Sequence, residues 1–213
     1  MSVLVKEIYP AIVGEASAAG WPALLIRLSG CNLRCVYCDT RYAWEGGRKR
    51  SVEELARIAR AKGFRRILLT GGEPLLQAES LELMAELVRA GREVLLETNG
   101  SLPLERVPAQ VHIIMDLKTP GSGQESANRY QNLEHLKKSD ELKFVLSGLN
   151  DYHWAKAMMS EFDLDRRCAV NLSPASGLLD PAKLARWMLR DRLAARLNLQ
   201  IHRVLFPGKD RGV

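Results

Sequence analysis

The stretch from Ala23 to Thr40 reads ALLIRLSGCNLRCVYCDT. Its first part is a nearly continuous apolar run, which is typical of a strand buried on both faces and predicts a strand over 23–28. Its second part places three cysteines, Cys31, Cys35 and Cys38, close together. In a reducing compartment, clustered cysteines are more often metal ligands or catalytic groups than disulfides. We therefore expect a reactive or metal-binding loop directly after a buried strand.

The number of cysteines limits which metal the loop can hold. A closed structural zinc site needs four protein ligands, and the next histidine, His112, lies far along the chain. A 4Fe–4S cluster held by three cysteines leaves one iron open to an outside ligand, as a reaction centre requires. The fourth cysteine, Cys168, lies in an apolar run and is predicted to be a small core residue.

Outward from this stretch, apolar runs alternate with amphipathic ones. Strands are predicted at 3–9, 23–28, 66–70, 93–97, 111–116, 141–146, 168–172 and 199–204, and helices at 51–62, 77–90, 126–138, 151–161 and 180–196. This alternation indicates right-handed βα units and a parallel sheet. A full eightfold barrel usually takes about 250 residues. The shorter chain therefore predicts an α/β fold, a partial parallel βα barrel, as a single domain over 1–213.

Composition narrows the class of protein. The chain has 213 residues, is 46% hydrophobic and 26% charged, and carries a net charge of +6, which is typical of a folded, non-membrane protein. Lys6 and Glu7 interrupt the first apolar stretch, so no signal peptide is expected, and we predict a cytoplasmic location without membrane contact. The basic residues are scattered, which is typical of a solvated surface, and no nucleic-acid partner is expected.

Five turns rich in glycine, proline or cysteine follow predicted strands. They are CNLRCVYCDT (31–40), GGEP (71–74), TNG (98–100), LKTPGSG (117–123) and SPASG (173–177). The carboxyl ends of parallel strands meet at one edge of a sheet, where ligands bind. The sequence therefore predicts one ligand site at this edge, beside the cysteines.

The spacing C-x3-C-x2-C followed by GGEP resembles the radical S-adenosylmethionine enzymes. Over nearly the whole chain, segments such as IYPAIVGE, LLTGGEPLL, ETNGS, MDLKTPGSG and LQIHRVLFPGKDRGV are similar to the 7-carboxy-7-deazaguanine synthase family. The resemblance implies a trimmed barrel and a lyase of queuosine and 7-deazapurine biosynthesis. Such an enzyme contracts 6-carboxy-5,6,7,8-tetrahydropterin to 7-carboxy-7-deazaguanine and releases ammonia. Two positions depart from the family: Val13 replaces a usual glutamine and Phe206 a frequent tryptophan.

The resemblance also implies cofactor contacts. Cys31, Cys35 and Cys38 would bind a 4Fe–4S cluster, whose open iron would hold the amino and carboxylate groups of S-adenosylmethionine. The remaining cofactor residues implied are Tyr37, Cys38 and Asp39 at the adenine, Gly71, Gly72 and Glu73 at the methionine ammonium, and Gly100, Lys118 and Ser122 at the ribose and carboxylate. For Lys118, an ion pair with Asp116 is an equally good reading. Thr40 would offer its hydroxyl to Mg²⁺, or would cap a helix instead.

Substrate contacts and partners follow from the same resemblance. Arg27 has a planar fork suited to a carboxylate and lies in an apolar strand, so it faces either the substrate or a core carboxylate. The other implied substrate residues are Ile12, Val13, Gly14, Glu15, Thr98, Asn99, His202 on the last predicted strand, and the C-terminal Val213. Expected partners are the pterin, a flavodoxin or ferredoxin as electron donor, and a second copy in a homodimer. The sequence assigns no proton-transfer residue.

Three other readings remain open from the sequence. A glycyl-radical enzyme activase uses the same cysteine spacing but acts on a protein chain. An iron–sulfur electron carrier has no need for GGEP or for the turns at the sheet edge. A zinc-dependent nucleic-acid module would require a fourth metal ligand.

Overall fold

A three-stranded antiparallel unit begins the sheet of the computed structural model, which describes residues 1–209 and 211–212. β1 (Ser2–Ile12) pairs antiparallel with β2 (Pro22–Leu28) and with β3 (Arg48–Ser51). Every later neighbour is parallel. These strands are β4 (Arg66–Gly71), β5 (Glu93–Thr98), β6 (His112–Asp116), β7 (Glu141–Leu146), β8 (Ala169–Pro174) and β9 (Arg196–Leu197). Within the described residues the order β3-β1-β2-β4-β5-β6-β7-β8-β9 leaves the sheet open.

Five helices of the described residues pack against the outer face of this sheet: α1 (Val52–Lys62), α2 (Glu79–Arg89), α3 (Leu149–Glu161), α4 (Leu164–Arg167) and α5 (Pro181–Asp191). A further helix, α6 (Ile201–Leu205), starts beside the β1–β2 connection. The side chains of Ser51 and Asp180 cap α1 and α5 by accepting hydrogen bonds from backbone amides in the first turn. The main apolar core lies between strands and helices and includes Cys168, which confirms its reading as a core residue. None of the described helices is both long and apolar enough to span a membrane.

The predicted partial parallel barrel is confirmed, with two strands added. β3 is highly charged and β9 has two residues, so neither shows an apolar run in the sequence. The first strand, β1, runs antiparallel to β2 because a short connection, residues 13–21, joins them. A parallel pair would need a longer crossover.

The predicted helix at 126–138 is wrong. The segment instead forms two 3₁₀ turns, Glu125–Ala127 and Tyr130–His135. Asn128 makes two hydrogen bonds with the backbone of Lys118, and Asn132 donates to the carbonyls of Gly100 and Leu102. These side chains bond to the backbone of other loops, so the chain turns where a helix is predicted.

The predicted strand at 199–204 is also wrong, and His202 lies on α6. β8 already has β9 as its neighbour at this edge of the sheet. The amide of Ile201 donates to the carbonyl of Gly14 at 3.0 Å, which fixes the start of α6 against the β1–β2 connection. A tertiary contact therefore overrides the alternating pattern of LQIHRV.

The inner face of the barrel has an apolar floor below a polar layer. Leu25, Leu68, Leu95 and Ile114 belong to one buried apolar cluster. Two positions later on the same strands come Arg27, Thr70, Glu97 and Asp116. Side chains two apart on a strand share a face, so the polar layer lies directly above the floor, at the carboxyl ends.

Candidate active site

A cavity of about 270 Å³ lies above this floor, at the carboxyl ends of the parallel strands. It brings together most of the residues that the sequence singled out. Those lining it are Ile12, Gly14, Glu15, Arg27, Cys31, Cys35, Tyr37, Cys38, Asp39, Thr40, Gly71, Gly72, Thr98, Asn99, Lys118 and His202. The prediction of one ligand site at this edge is therefore consistent with the fold.

The three cysteines lie on one loop after β2 and are free thiols, half-buried toward the cavity. Burial raises the pKa of the Cys31 and Cys35 thiols. Two residues between Cys35 and Cys38 hold the loop in place. The Tyr37 hydroxyl donates to the Val145 carbonyl at 2.9 Å, and the Val36 amide donates to the Ser122 carbonyl at 3.0 Å. The loop is thus anchored to the ends of β6 and β7, across the cavity from β2.

Gly72 lets the turn after β4 approach the cysteine loop. A Cβ at Gly72 would lie 2.1 Å from the Gly30 carbonyl oxygen and 2.8 Å from the Cys31 Cβ. The amide of Glu73 donates to the same Gly30 carbonyl at 2.8 Å. Only glycine fits between the two backbones, so the glycine turn and the cysteine loop form one wall.

Glu73 supports this wall from behind and does not line the cavity. Its carboxylate accepts hydrogen bonds from the amides of Leu75 and Asn99 and from the Thr98 hydroxyl. Burial raises the pKa of this carboxyl group, and the hydrogen bonds oppose that effect. Its predicted contact with an ammonium group stays a prediction. Asn99 points its amide toward the Cys31 sulfur, at 3.9 Å.

Three other predicted residues are also absent from the cavity lining: Val13, Gly100 and Ser122. The Val13 side chain packs in the apolar floor and is 1% exposed, so the position at which the family usually has glutamine points into the core here. The Ser122 hydroxyl is buried and donates to the Thr119 carbonyl. Val213 lies outside the described residues.

A chain of buried charges crosses the cavity. Lys118 Nζ donates to Asp116 Oδ2 at 2.7 Å, and Lys143 Nζ lies 3.4 Å from Asp116 Oδ1 and 2.7 Å from Glu15 Oε2. Burial alone would raise the pKa of Asp116, but the two lysines hold it below its usual range. Burial would lower the pKa of both lysines, and the carboxylates around them raise it instead. Lys118 is therefore paired with Asp116 and also faces the cavity.

Glu97 is the carboxyl group in this cavity with a raised pKa. Burial is the main cause, Glu15 adds to it, and Lys143 opposes it. One oxygen, Oε2, accepts from the Thr70 hydroxyl at 2.7 Å. Glu97 lines the cavity, so it is a group that can hold a proton beside a bound ligand.

Arg27 faces the cavity while its Nε donates to Glu7 at 2.6 Å. The Tyr42 hydroxyl donates to the same Glu7 oxygen at 2.7 Å. Arg27 therefore has a carboxylate partner and also lines the cavity, and its contact with a substrate stays a prediction. The Glu7 contact uses the Nε edge of the guanidinium group and fixes its plane.

Asp39 and Thr40 end the cysteine loop. The Thr40 hydroxyl donates to Asp39 Oδ1 at 2.8 Å and makes no helix-capping hydrogen bond. Asp39 Oδ2 accepts from Gln200 at 3.1 Å and contacts Arg203 at 3.4 Å. Burial raises the pKa of Asp39, but these donors lower it below its usual value. The cysteine loop is thereby joined to the start of α6.

His202 packs against Gly14, where a Cβ would lie 2.3 Å from its Nδ1. Burial lowers the pKa of the imidazole, which favours the neutral form at the cavity wall. The glycine of the β1–β2 connection therefore provides space for the ring.

The comparisons with known proteins agree with this geometry. Residues 25–153 match the model of the Radical SAM superfamily. The chain is 39% identical to a 7-carboxy-7-deazaguanine synthase of Koribacter versatilis, over 98% of this chain and 99% of the relative. It is 40% identical to that of Chlorobaculum tepidum, over 98% and 96%. The chain belongs to the 7-carboxy-7-deazaguanine synthase family. A crystal structure of QueE from Escherichia coli shares the fold, with a TM-score of 0.77 at 23% identity and 94% coverage of both chains.

The donor set fits the iron–sulfur cluster that this superfamily implies. Within residues 1–209 and 211–212, no three His, Cys, Asp or Glu side chains converge on a point as ligands of a single metal ion. Three thiols on one cavity wall instead suit a cluster, in which each cysteine binds its own iron. The close approach of Gly72 to Gly30 and Cys31 supports the loop that would hold the cluster.

Sequence reasoning missed Glu97 and Lys143, and it named Asp116 only as a partner of Lys118. The signal was present, since Glu97 in EVLLET and Lys143 in ELKFVL are charges inside apolar strands, as Arg27 is. A buried charge needs a partner or a cavity. Applying that argument to every strand would have found these residues, although not their pairing.

Proposed function

We propose that the chain converts 6-carboxy-5,6,7,8-tetrahydropterin to 7-carboxy-7-deazaguanine with release of ammonia. The proposal is supported by one observation above all: a single cavity joins a three-cysteine loop to a layer of buried charges complementary to a polar heterocycle with a carboxylate. In this proposal the enzyme is a cytoplasmic lyase and a homodimer, and a flavodoxin or ferredoxin supplies its electrons.

The wall formed by the cysteine loop and the glycine turn, which we call the cofactor wall, would bind two groups. Cys31, Cys35 and Cys38 would hold the 4Fe–4S cluster, and the backbone of Gly71 and Gly72, with Lys118, would hold S-adenosylmethionine. When bound, these groups supply the reducing electron and the carbon radical that removes a hydrogen atom from the substrate. The other cofactor contacts that we propose are the backbone of Tyr37 and Asp39, Glu73, Gly100 and Ser122.

The charged side chains that line the cavity, which we call the substrate wall, would orient the pterin. Arg27, fixed by Glu7, would bind the substrate carboxylate, and Glu15, fixed by Lys143, would accept from the guanidine-like edge of the ring. Ile12, Gly14, Thr98, Asn99 and His202 would complete the contacts. Holding the reacting carbon within about 3–3.5 Å of its partner is the main contribution of such a site.

Glu97 would hold the proton that moves during aromatisation. Its carboxyl group faces the cavity, and its raised pKa keeps the proton on the group at a higher pH than usual. Thr40, beside the Asp39 carboxylate, would offer its hydroxyl to Mg²⁺, which accepts few protein ligands together with water and substrate oxygens.

An anaerobic assay tests the proposal. The reconstituted, reduced enzyme is given S-adenosylmethionine, Mg²⁺ and 6-carboxytetrahydropterin, and the products are measured by mass spectrometry. We expect 7-carboxy-7-deazaguanine from the wild type and none from Cys35→Ala. Cleavage of S-adenosylmethionine without deazaguanine would refute the substrate assignment and make the glycyl-radical activase the next reading to test.

A further inference from the structure

A second cavity, of about 290 Å³, lies below the apolar floor, at the amino ends of the parallel strands. Arg66, Glu93 and His112 line it. Each of them comes two residues before a floor residue on its own strand, so the three side chains face the barrel interior one layer below the floor. We call this space the lower cavity and the cavity described above the upper cavity. The two cavities share no lining residue.

Trp21 gives the lower cavity a large aromatic surface. The residue is 54% exposed, and the guanidinium carbon of Arg66 lies 4.3 Å from its ring centroid. The indole N–H makes no hydrogen bond to any residue that the structure describes. Part of the ring and its polar edge are therefore free to contact a planar ligand.

The lower cavity has an excess of positive charge at Arg66. Glu93 lies between two guanidinium groups, 3.1 Å from Arg66 Nε and 2.5 Å from Arg65 Nη2. One carboxylate cannot neutralise two cations, so one positive charge remains. The contact through Nε leaves Nη1 and Nη2 of Arg66 without a hydrogen-bond partner among the described parts of the chain. This edge can bind a carboxylate or a phosphate through two parallel hydrogen bonds.

Gln110 and His112 add neutral hydrogen-bonding groups at the start of β6. The Gln110 amide makes no hydrogen bond within residues 1–209 and 211–212. Burial would raise the pKa of Glu141, but hydrogen bonds from His112, Ser17 and Asn171 lower it to about 2. The carboxylate is therefore ionised, and His112 Nε2, 3.0 Å away, donates to it. This contact holds the imidazole in place and leaves Nδ1 as an acceptor in the neutral ring.

We propose that the lower cavity binds a planar heteroaromatic anion, either a heterocyclic carboxylate or a purine nucleotide. In this complex the ring stacks on Trp21, Arg66 binds the anionic group, and Gln110 and His112 bind the polar edge of the ring. The site is additional to the one in which the proposed function takes place, because the apolar floor separates the two cavities. A neutral apolar ligand fits less well, since it would bury the free edge of Arg66 and the Gln110 amide without partners.

Equilibrium dialysis counts the sites on the holoenzyme with S-adenosylmethionine, with pterin-6-carboxylate as the probe. This planar anion resembles the proposed substrate, so it can occupy both cavities. We expect two bound molecules per chain in the wild type, one in Trp21→Leu/Arg66→Gln and one in Arg27→Gln, which disables the upper cavity. In the Arg27→Gln background, adding Trp21→Leu should raise the remaining Kd about tenfold, because a stacking contact is lost.

Two further variants separate binding from folding. Trp21→Phe/Arg66→Lys keeps the ring and the charge and should again bind two molecules. The control, Arg186→Gln/Leu189→Ala, removes one charge and one apolar side chain from exposed positions of α5 that line neither cavity, and it should also bind two.

Unchanged binding in Trp21→Leu/Arg66→Gln, or loss of all binding in Arg27→Gln, would overturn the lower site. If the wild type binds one molecule that only the Trp21→Leu/Arg66→Gln variant loses, the lower site stands and the substrate contact proposed for Arg27 fails. Guanosine monophosphate then identifies the anion in the Arg27→Gln variant. Displacement of the probe at a concentration below the probe's own Kd indicates a nucleotide phosphate, and weaker displacement indicates a carboxylate.

Discussion

The two walls of the cavity are built in different ways. The cofactor wall consists of backbone and thiols on two turns, the cysteine loop and the glycine turn at Gly71 and Gly72, pressed together until no Cβ fits. The substrate wall consists of charged side chains: Glu97 and Lys143 lie on β5 and β7, and Glu15 lies on the β1–β2 connection. A contact made by backbone tolerates little change in shape, whereas a network of charges depends on every member being present.

The largest expected effect is on the cofactor wall. Gly72→Ala forces the glycine turn away from Gly30 and Cys31, and a misplacement of about 1 Å costs on the order of 100-fold in rate. We expect reduced iron per chain after reconstitution and at least about that loss of product formation. Gly148→Ala is the control, because nothing lies within 4 Å of its Cβ and its backbone is extended. Full iron content in Gly72→Ala would show that the close approach is dispensable.

On the substrate wall, Glu97→Gln removes the titratable proton but keeps an acceptor for Thr70. We expect kcat to fall roughly 100-fold, as for the loss of a general acid or base, with little change in KM. Glu161→Gln, at an exposed position, is the control. A fall in substrate affinity at unchanged kcat would instead assign Glu97 to binding.

The same variant should change the pH dependence of stability. Folded Glu97 has a raised pKa and holds its proton more tightly than in the unfolded chain, so its ionisation lowers the free energy of unfolding as the pH rises through that pKa. Relative to the wild type, Glu97→Gln should therefore gain melting temperature at about pH 8 and gain nothing below about pH 4, where both states are protonated. A gain that is equal at all pH values would rule out this titration.

Lys143→Met tests whether the charges act as a network. It leaves Glu15 and Asp116 buried without their shared cation, and breaking a buried ion pair costs about 3–5 kcal/mol of stability. We also expect KM for the pterin to rise about tenfold, because Glu15 loses its fixed position. Lys183→Met, on the exposed side of α5, serves as the control. Unchanged KM and stability would show that these charges do not act as a network.

The smallest effect on activity is expected at Val13. Val13→Gln places an amide in the apolar floor, at a cost of about 1–3 kcal/mol if it finds no partner. Thermal unfolding should report that loss, while KM for the pterin changes less than twofold. A clear decrease in KM would show that the glutamine side chain turns into the cavity.

The parts that sequence predicted best are those with local causes. The cysteine loop and the GGEP turn each depend on residues a few positions apart. The errors have distant causes. Asn128 and Asn132 form hydrogen bonds with the backbone of Lys118 and Gly100, which prevents the helix predicted at 126–138. The carbonyl of Gly14 accepts from the amide of Ile201 and so fixes the start of α6 where a strand was predicted.

The sequence by itself determined the partial barrel, its active edge and the three thiols, because apolar strand runs and motif spacing are properties of short segments. Only the tertiary structure decided that Lys143 joins Glu15 to Asp116, that Glu73 lies behind the wall, and that Val13 points into the floor. Which side chains pair, and on which face of the sheet each one lies, depends on which strands become neighbours. The neighbours are decided only when the whole sheet assembles.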